Sequence, residues 1–261
     1  MTGSAGDSAL SAKWARRWMQ RWDRQQEGYV AAREARFAVM VDLVREVTGE
    51  RPLIVDLACG PGSLKDRMLM GIPGATVIAI DLDPLLLEVG KAALGDGNGR
   101  ITWVDADLSD PRWRETLGGR RADAAVSTTA LHWLEPDALL VLYRGLAEVI
   151  REGGVFLNGD QMEHPPTERR IGDAVRAIRE RRTEAAFARP GMDDYWRQYD
   201  ELRALPALRA LADERDRRFT APRPAWRAGY ELHRAGLLNA GFSEVGTARQ
   251  DLDSRVLMAV R

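Results

Sequence analysis

Two carboxylates and a glycine turn carry the first chemical signal in the chain. In Val55-Asp56-Leu57-Ala58-Cys59-Gly60-Pro61-Gly62-Ser63 a short apolar run ends in Gly-x-Gly, and a helical pattern follows. Glycines in such a turn let the backbone approach a ligand closely. The helix N-terminus beyond offers free N–H groups and a positive dipole end to an anionic group. Asp81 ends the next apolar run, where a carboxylate in an open α/β sheet accepts hydrogen bonds from ribose hydroxyls. A dinucleotide pyrophosphate needs a third glycine for close helix–strand approach, and Lys65 stands in its place. Asp56, at the strand end before the turn, suits an ammonium group. The combination favours an adenosyl amino acid over a dinucleotide.

Other reactive residue types are sparse. Cys59 has no basic neighbour in sequence to activate it and reads as structural. His132 is open between an acid–base role near neutral pH and capping or packing in its loop. His164 and His233 are weaker candidates. One cysteine and three scattered histidines predict neither a disulfide framework nor a metal site. Trp14, Trp18 and Trp22 recur every four residues and form one helical stripe, which reads first as packing and second as an aromatic wall for a cation. Tyr29, Arg33 and Arg36 follow at helical spacing.

The elements that must position these residues alternate regularly. A helical pattern without proline runs from Trp14 to Val47, broken only at Gly28. Strands are predicted at Pro52–Leu57, Ala75–Ile80, Ile101–Val104, Asp123–Ser127 and from Val155, with helices to Met70, from Pro84 toward Leu94 and over Asp137–Arg151. Strands separated by helices indicate right-handed crossovers and a mostly parallel sheet. The alternation stops at Pro165–Pro166. A charged helical stretch follows, with thirteen arginines against eleven acidic residues between Glu168 and Arg218. It lacks the apolar density for its own core and is read either as helices over the sheet's carboxyl edge or as a solvated insertion. A helix (Trp226–Ala240) and two strands (Ser243–Arg249, Ser254–Val260) complete the chain. The link between those strands is too short for a crossover, so they predict an antiparallel hairpin.

Val55–Ser63, Val77–Pro84, Val104–Leu108 and Ser127–Leu134 together resemble the successive cofactor motifs of class I S-adenosylmethionine-dependent methyltransferases, most closely the small-molecule branch that includes trans-aconitate methyltransferase-like enzymes. The likeness spans roughly Tyr29–Asp160 and Tyr230–Arg261. It implies a Rossmann-like, doubly wound, mostly parallel seven-stranded sheet with an antiparallel C-terminal hairpin and a helical lid insertion. It also implies S-adenosylmethionine as methyl donor, S-adenosylhomocysteine as product and no metal. In the roles it suggests, Asp56 meets the methionine amino group, the backbone of Ala58, Gly60 and Gly62 wraps the methionine and ribose, and Asp81 binds the ribose. Leu82 packs on the adenine, Asp107 accepts its amino group, and the Leu108 N–H faces the ring; Asp105 reads as structural. Thr128 and Thr129 lie beside the methyl donor. An arginine of the N-terminal helix holds the methionine carboxylate, Arg33 ahead of Arg36. Tyr29, His132, Trp133 and Asp160 face the acceptor, with His132 the leading acid–base candidate and Asp160 and Glu163 behind it. Cysteine is common at the Cys59 position of such turns.

The expected organisation is an N-terminal helical segment over residues 1–48, the cofactor-binding domain over 49–162 and 225–261, and the lid over 163–224. With 38 basic and 39 acidic residues, bulk charge gives no reason to bind nucleic acid. Without an apolar span or a leader-like N-terminus, a cytoplasmic protein is expected. Ser127-Thr128-Thr129-Ala130 replaces the Asn-Pro-Pro-Tyr/Phe element of amide and adenine amino methylation. Small O, N or C acceptors therefore stay open, in specialised metabolism among other settings. The lid arginines suit an anionic acceptor and a solvated face equally. The rival functions are a cofactor-binding protein without methyl transfer (a cyclase or a regulatory binder) and a nicotinamide reductase. The aromatic N-terminal helix offers a homodimer surface.

Overall fold

The structure, a computed structural model, describes residues 10–192, 194–220 and 228–261. Five apolar runs form the parallel part of one sheet: β1 Leu53–Leu57, β2 Thr76–Asp81, β3 Ile101–Asp105, β4 Ala122–Thr128 and β5 Ile150–Gln161. β6 Glu244–Asp251 and β7 Ser254–Val260 form the antiparallel hairpin, giving the order β3-β2-β1-β4-β5-β7-β6. β1 and β2 are continuous aliphatic runs because helices cover both faces of a parallel sheet. α2 Arg33–Thr48 and α3 Ser63–Gly71 lie on one face; α5 Pro136–Val149 and α9 Tyr230–Ala240 lie on the other. The crossover order reverses between β1 and β4, so their carboxyl ends open the crevice where ligands bind in such sheets.

Local sequence sets each boundary near that crevice. Ala58, Gly60 and Gly62 all take left-handed backbone conformations, with φ of 51°, 56° and 97°. Gly62 then starts α3. Asp83 caps α4 (Pro84–Leu94) by accepting from the Leu85 and Leu86 N–H groups, and Pro84 sits where no N–H is needed.

The predicted N-terminal helix is two helices. α1 spans Ala12–Tyr29, and the break falls at Val30–Ala32, where Ala32 is left-handed with φ 54°. Gly28 stays inside α1, its missing side chain making room for the Phe187 ring, which lies 2.8 Å from where a Cβ would stand. Tyr29 therefore ends one helix and Arg33 begins another, so the two do not share a helical face. β5 also begins earlier and runs further than its apolar core suggested. α9 starts at Tyr230; the predicted start at Trp226 and the lid boundary at 224 lie outside the described residues.

The insertion forms α6 Arg169–Phe187, α7 Tyr195–Arg203 and α8 Arg209–Arg218. Tyr199, Leu202, Leu208 and Ala212 pack with Trp18 and Trp22 of α1 and with Leu85, Leu86 and Val89 of α4 in one core. Trp18 and Trp22 stack at 5.4 Å and are buried within the chain, so these two residues of the stripe pack internally, while Trp14 is half-buried. No described helix is long and apolar enough to cross a membrane.

Candidate active site at the carboxyl edge of β1 and β4

The glycine turn and Asp81 are built as one unit. Asp81 is buried; its carboxylate accepts the Gly60 N–H at 2.6 Å and the Asp83 N–H at 2.7 Å. Burial pushes its acid up to about 7, with the nearby Asp83 charge adding to the rise. Asp56 is buried beneath the turn, and its Oδ2 lacks a hydrogen-bond partner among the described residues. Burial raises its acid to about 7 against the opposing pull of Lys65. Cys59 is buried, and its thiol is pushed far up by burial and by the Asp81 and Asp56 charges, which disfavours the thiolate that a nucleophile needs.

The two candidate arginines have different surroundings. Arg33 donates to Asp23 at 2.8 Å and stacks over Phe37, so its charge is matched within the α1–α2 elbow. Asp23 also accepts from Ser63 at the start of α3. Arg36, one turn on, is 1% exposed and reaches the end of β4, where its Nη2 donates to Thr128 Oγ1 at 2.7 Å and to Thr129 Oγ1 at 2.6 Å. Its Nε and Nη1 are buried without partners among the described residues. Burial lowers its guanidinium to about 10, while Asp160 partly offsets the loss. Gly159 makes this approach workable: a Cβ there would stand 3.2 Å from Arg36 Cδ and Nε. Thr129, left-handed at φ 55°, donates its N–H to the Gly159 carbonyl. A charged group with two unmet donors, held at the crevice, is suited to a carboxylate.

On the β2–β3 side the adenine-facing candidates sit together. Leu108 is buried, Leu82 is half-buried, and Asp107 Oδ1 accepts from the Ser109 N–H and hydroxyl. Asp105 is paired with Arg218 of α8, which also donates to the Leu82 carbonyl at 2.9 Å. Arg215 reaches Asp83 at 2.6 Å, and Tyr199 donates to the same carboxylate at 2.9 Å. Asp83, Tyr199, Arg215 and Arg218 thus fasten the insertion over this end. Sequence reasoning missed all four as a group, because Tyr199, Arg215 and Arg218 each lie more than one hundred residues from the Leu82–Asp83 segment that they hold.

Beyond β4 and β5 lies a second constellation. His132 and Asp160 are both buried, with His132 Nδ1 2.7 Å from Asp160 Oδ1. Burial would raise the Asp160 acid, but the His132 charge and the hydrogen bonds from His132 and the Gln161 N–H bring it below the usual range. An ionised Asp160 requires Nδ1 to carry the proton, which leaves Nε2 as the basic nitrogen. Trp133 is partly exposed beside His132, at 4.8 Å between rings. Beyond the end of β5 a cavity of about 490 Å³ is lined by Tyr29, Arg33, Gln161, Arg179, Arg182 and Asp253, among others. His164 pairs with Glu168 on an exposed turn, and His233 lies buried against the Tyr143 hydroxyl. Among the described residues no group of three or more His, Cys, Asp or Glu is placed to hold a metal ion.

Residues 54–154 match the family model described as a methyltransferase domain. The chain is 28% identical to a trans-aconitate 2-methyltransferase of Azoarcus sp. over 53% of its own length and 50% of that protein. It is 36% identical to a trans-aconitate 2-methyltransferase of Mycobacterium tuberculosis over 46% of its length and 42% of the relative. The chain thus spans about half the length of the curated relatives it matches. Human N-acetylserotonin methyltransferase, solved in complex with S-adenosylmethionine, shares the fold at a TM-score of 0.54 and 16% identity, over 98% of this chain and 60% of the human one. With the sheet order and the glycine turn, these matches identify the stretch over residues 54–154 as a methyltransferase domain, similar to those of class I S-adenosylmethionine-dependent methyltransferases.

Proposed function

We propose that this protein transfers a methyl group from S-adenosylmethionine to a small-molecule acceptor. The observation that carries the reading is Arg36: a buried guanidinium with unmet Nε and Nη1 donors, held by Thr128 and Thr129 at the crevice that the glycine turn opens. The residues present fit the cofactor. Arg36 would hold the methionine carboxylate, in preference to Arg33, whose charge Asp23 already matches. Asp56, with its free Oδ2, would face the methionine ammonium. Asp81 keeps lone pairs for the ribose hydroxyls while it fixes the Gly60 turn, and Leu82, Asp107 and Leu108 would frame the adenine. When bound, S-adenosylmethionine supplies a sulfonium methyl that is already activated for displacement.

The protein's remaining task is to align the acceptor and exclude water, worth on the order of 7–11 kcal/mol in favourable cases. The cavity bounded by α6, the α1–α2 elbow and the β6–β7 turn is the acceptor chamber in this reading. Tyr29 on its wall would contact the acceptor, as would Trp133, which lies outside that lining beside His132. His132, oriented by Asp160, would take the acceptor proton when the acceptor carries one, a role worth roughly 10²–10⁴-fold. The relatives named for trans-aconitate are consistent with a small acid as acceptor.

Cofactor-selective binding tests this reading. S-adenosylhomocysteine should bind and raise the melting temperature, whereas NADH should do neither. With S-adenosylmethionine and a panel of small acids, amines and phenols, methylated product should appear together with S-adenosylhomocysteine. NADH binding would overturn the assignment. Cofactor binding without product across a broad panel would move the chain to the non-transferring binders of the same fold.

A further inference from the structure

Lys65, the residue that replaces the third glycine, is fully buried. Its Nζ lies 3.0 Å from the centroid of the Trp103 ring and 2.6 Å from where a Gly62 Cβ would stand. It has no hydrogen-bond partner among the described residues, and neither has Asp56 Oδ2. The Asp56 carboxylate is drawn down by the Lys65 backbone N–H and ammonium, so the two residues meet at the root of the glycine turn without an ammonium–carboxylate bond. The other charged or titratable groups that bear on the pair are Asp81 from β2, Asp66 on α3 and the Cys59 thiol. Trp103 of β3 closes the far side with a π face, which steadies a cation without accepting its proton.

We propose that the buried Asp56–Lys65 pair gives up a proton when the cofactor's α-ammonium arrives beside Asp56, making Lys65 a determinant of cofactor affinity and its pH dependence. The proposal rests on the cofactor reading given above. Two cations sharing one carboxylate in a site closed to water repel far more strongly than they do in bulk. The cofactor ammonium can bond to Asp56; Lys65 cannot exchange its buried place for solvent. The pair therefore releases a proton to the buffer as the Lys65 ammonium becomes the neutral amine, with Asp56 already the carboxylate. The step loses one H⁺ and changes no other covalent bond. Burial supports the direction, holding Lys65 down to about 8 and Asp56 up to about 7, so the proton is available near neutrality.

Titration calorimetry of the full chain with S-adenosylhomocysteine, in buffers of different ionisation enthalpy at pH 7.5, reads the proton count directly. Release of between about half and one proton is expected, with affinity rising up to about tenfold per pH unit between pH 6.5 and 8. Methylthioadenosine, which lacks the amino acid portion, should bind with no such release. Lys65→Met should lose most of the release and bind S-adenosylhomocysteine several-fold more tightly at pH 6.5. The contrast between the two ligands on the natural chain decides the matter even if that variant fails to fold. Buffer-independent binding of S-adenosylhomocysteine, or equal release in folded Lys65→Met, would overturn the proposal and leave the cofactor assignment standing. Absence of S-adenosylhomocysteine binding to the folded natural chain would overturn both.

Discussion

The two halves of the insertion are attached in different ways. α7 and α8 are packed: Tyr199, Leu202 and Leu208 are buried in a core shared with α1 and α4, and Arg215 and Arg218 fasten them to Asp83 and Asp105. α6 has no buried residue along its nineteen positions. It is tethered by Arg179–Asp253 and Arg182–Asp251 pairs to the β6–β7 turn and by Phe187 against Tyr29. The packed half covers the β2–β3 side, where the adenosyl group would lie. The tethered half borders the cavity assigned to the acceptor. A cofactor common to every turnover suits a rigid wall, and exchange of acceptor and product suits a wall that buries none of its own residues.

Substitutions can break or sharpen this contrast. The largest effect is expected in the cofactor crevice itself, at the end of β4. Arg36→Met should weaken S-adenosylhomocysteine binding by about 100-fold or more, since hydrogen bonds to charged groups contribute about 1.5–3 kcal/mol each. Arg33→Met should cost binding far less, which calorimetry on both variants would check.

Next in size, Leu202→Ala should destabilise the chain by about 2–5 kcal/mol in urea melts. Phe187→Ala, on the half-exposed side of α6, should cost clearly less, and equal losses would abolish the distinction between the halves.

A third expectation concerns pH. Asp56 and Asp81 have acids raised to about 7 in the fold, against ordinary values near 4. The folded state therefore holds their protons more tightly than the unfolded chain does. That stabilisation is complete below about pH 4 and is lost as pH rises through about 7. Ligand-free stability, measured by urea melts, should carry a falling contribution between pH 5 and 7.5, and Asp56→Asn should flatten it.

The smallest effect belongs to the tether. Arg182→Gln should change global stability by less than about 1 kcal/mol, since both partners of the Arg182–Asp251 pair are open to solvent. It should nevertheless speed trypsin cleavage within α6 well before cleavage in α8, and added salt should do the same to the natural chain.

What was legible in the sequence was local. The glycine turn, Asp81 and the alternation of strands and helices are set by neighbours a few residues apart, and they predicted the sheet and its hairpin. The choice between Arg33 and Arg36 was not legible, because helical spacing places both near the same edge. It depends on Asp23, ten residues before Arg33 and across a break at Val30–Ala32 that no glycine or proline marks. The pairing of His132 with Asp160 joins two strand ends, and the Asp83–Tyr199–Arg215 fastening joins elements more than one hundred residues apart. Lys65 was visible as a departure from the dinucleotide pattern. Its burial beside Asp56 was not, since a lysine on a short helix ordinarily reaches water.

The most direct test of the central claim is a crystal structure of the chain with S-adenosylhomocysteine. The account predicts the methionine carboxylate on Arg36, the ammonium beside Asp56 and the ribose hydroxyls on Asp81. An adenosyl group bound elsewhere, or a bound cofactor that leaves Arg36 without a carboxylate partner, would contradict it.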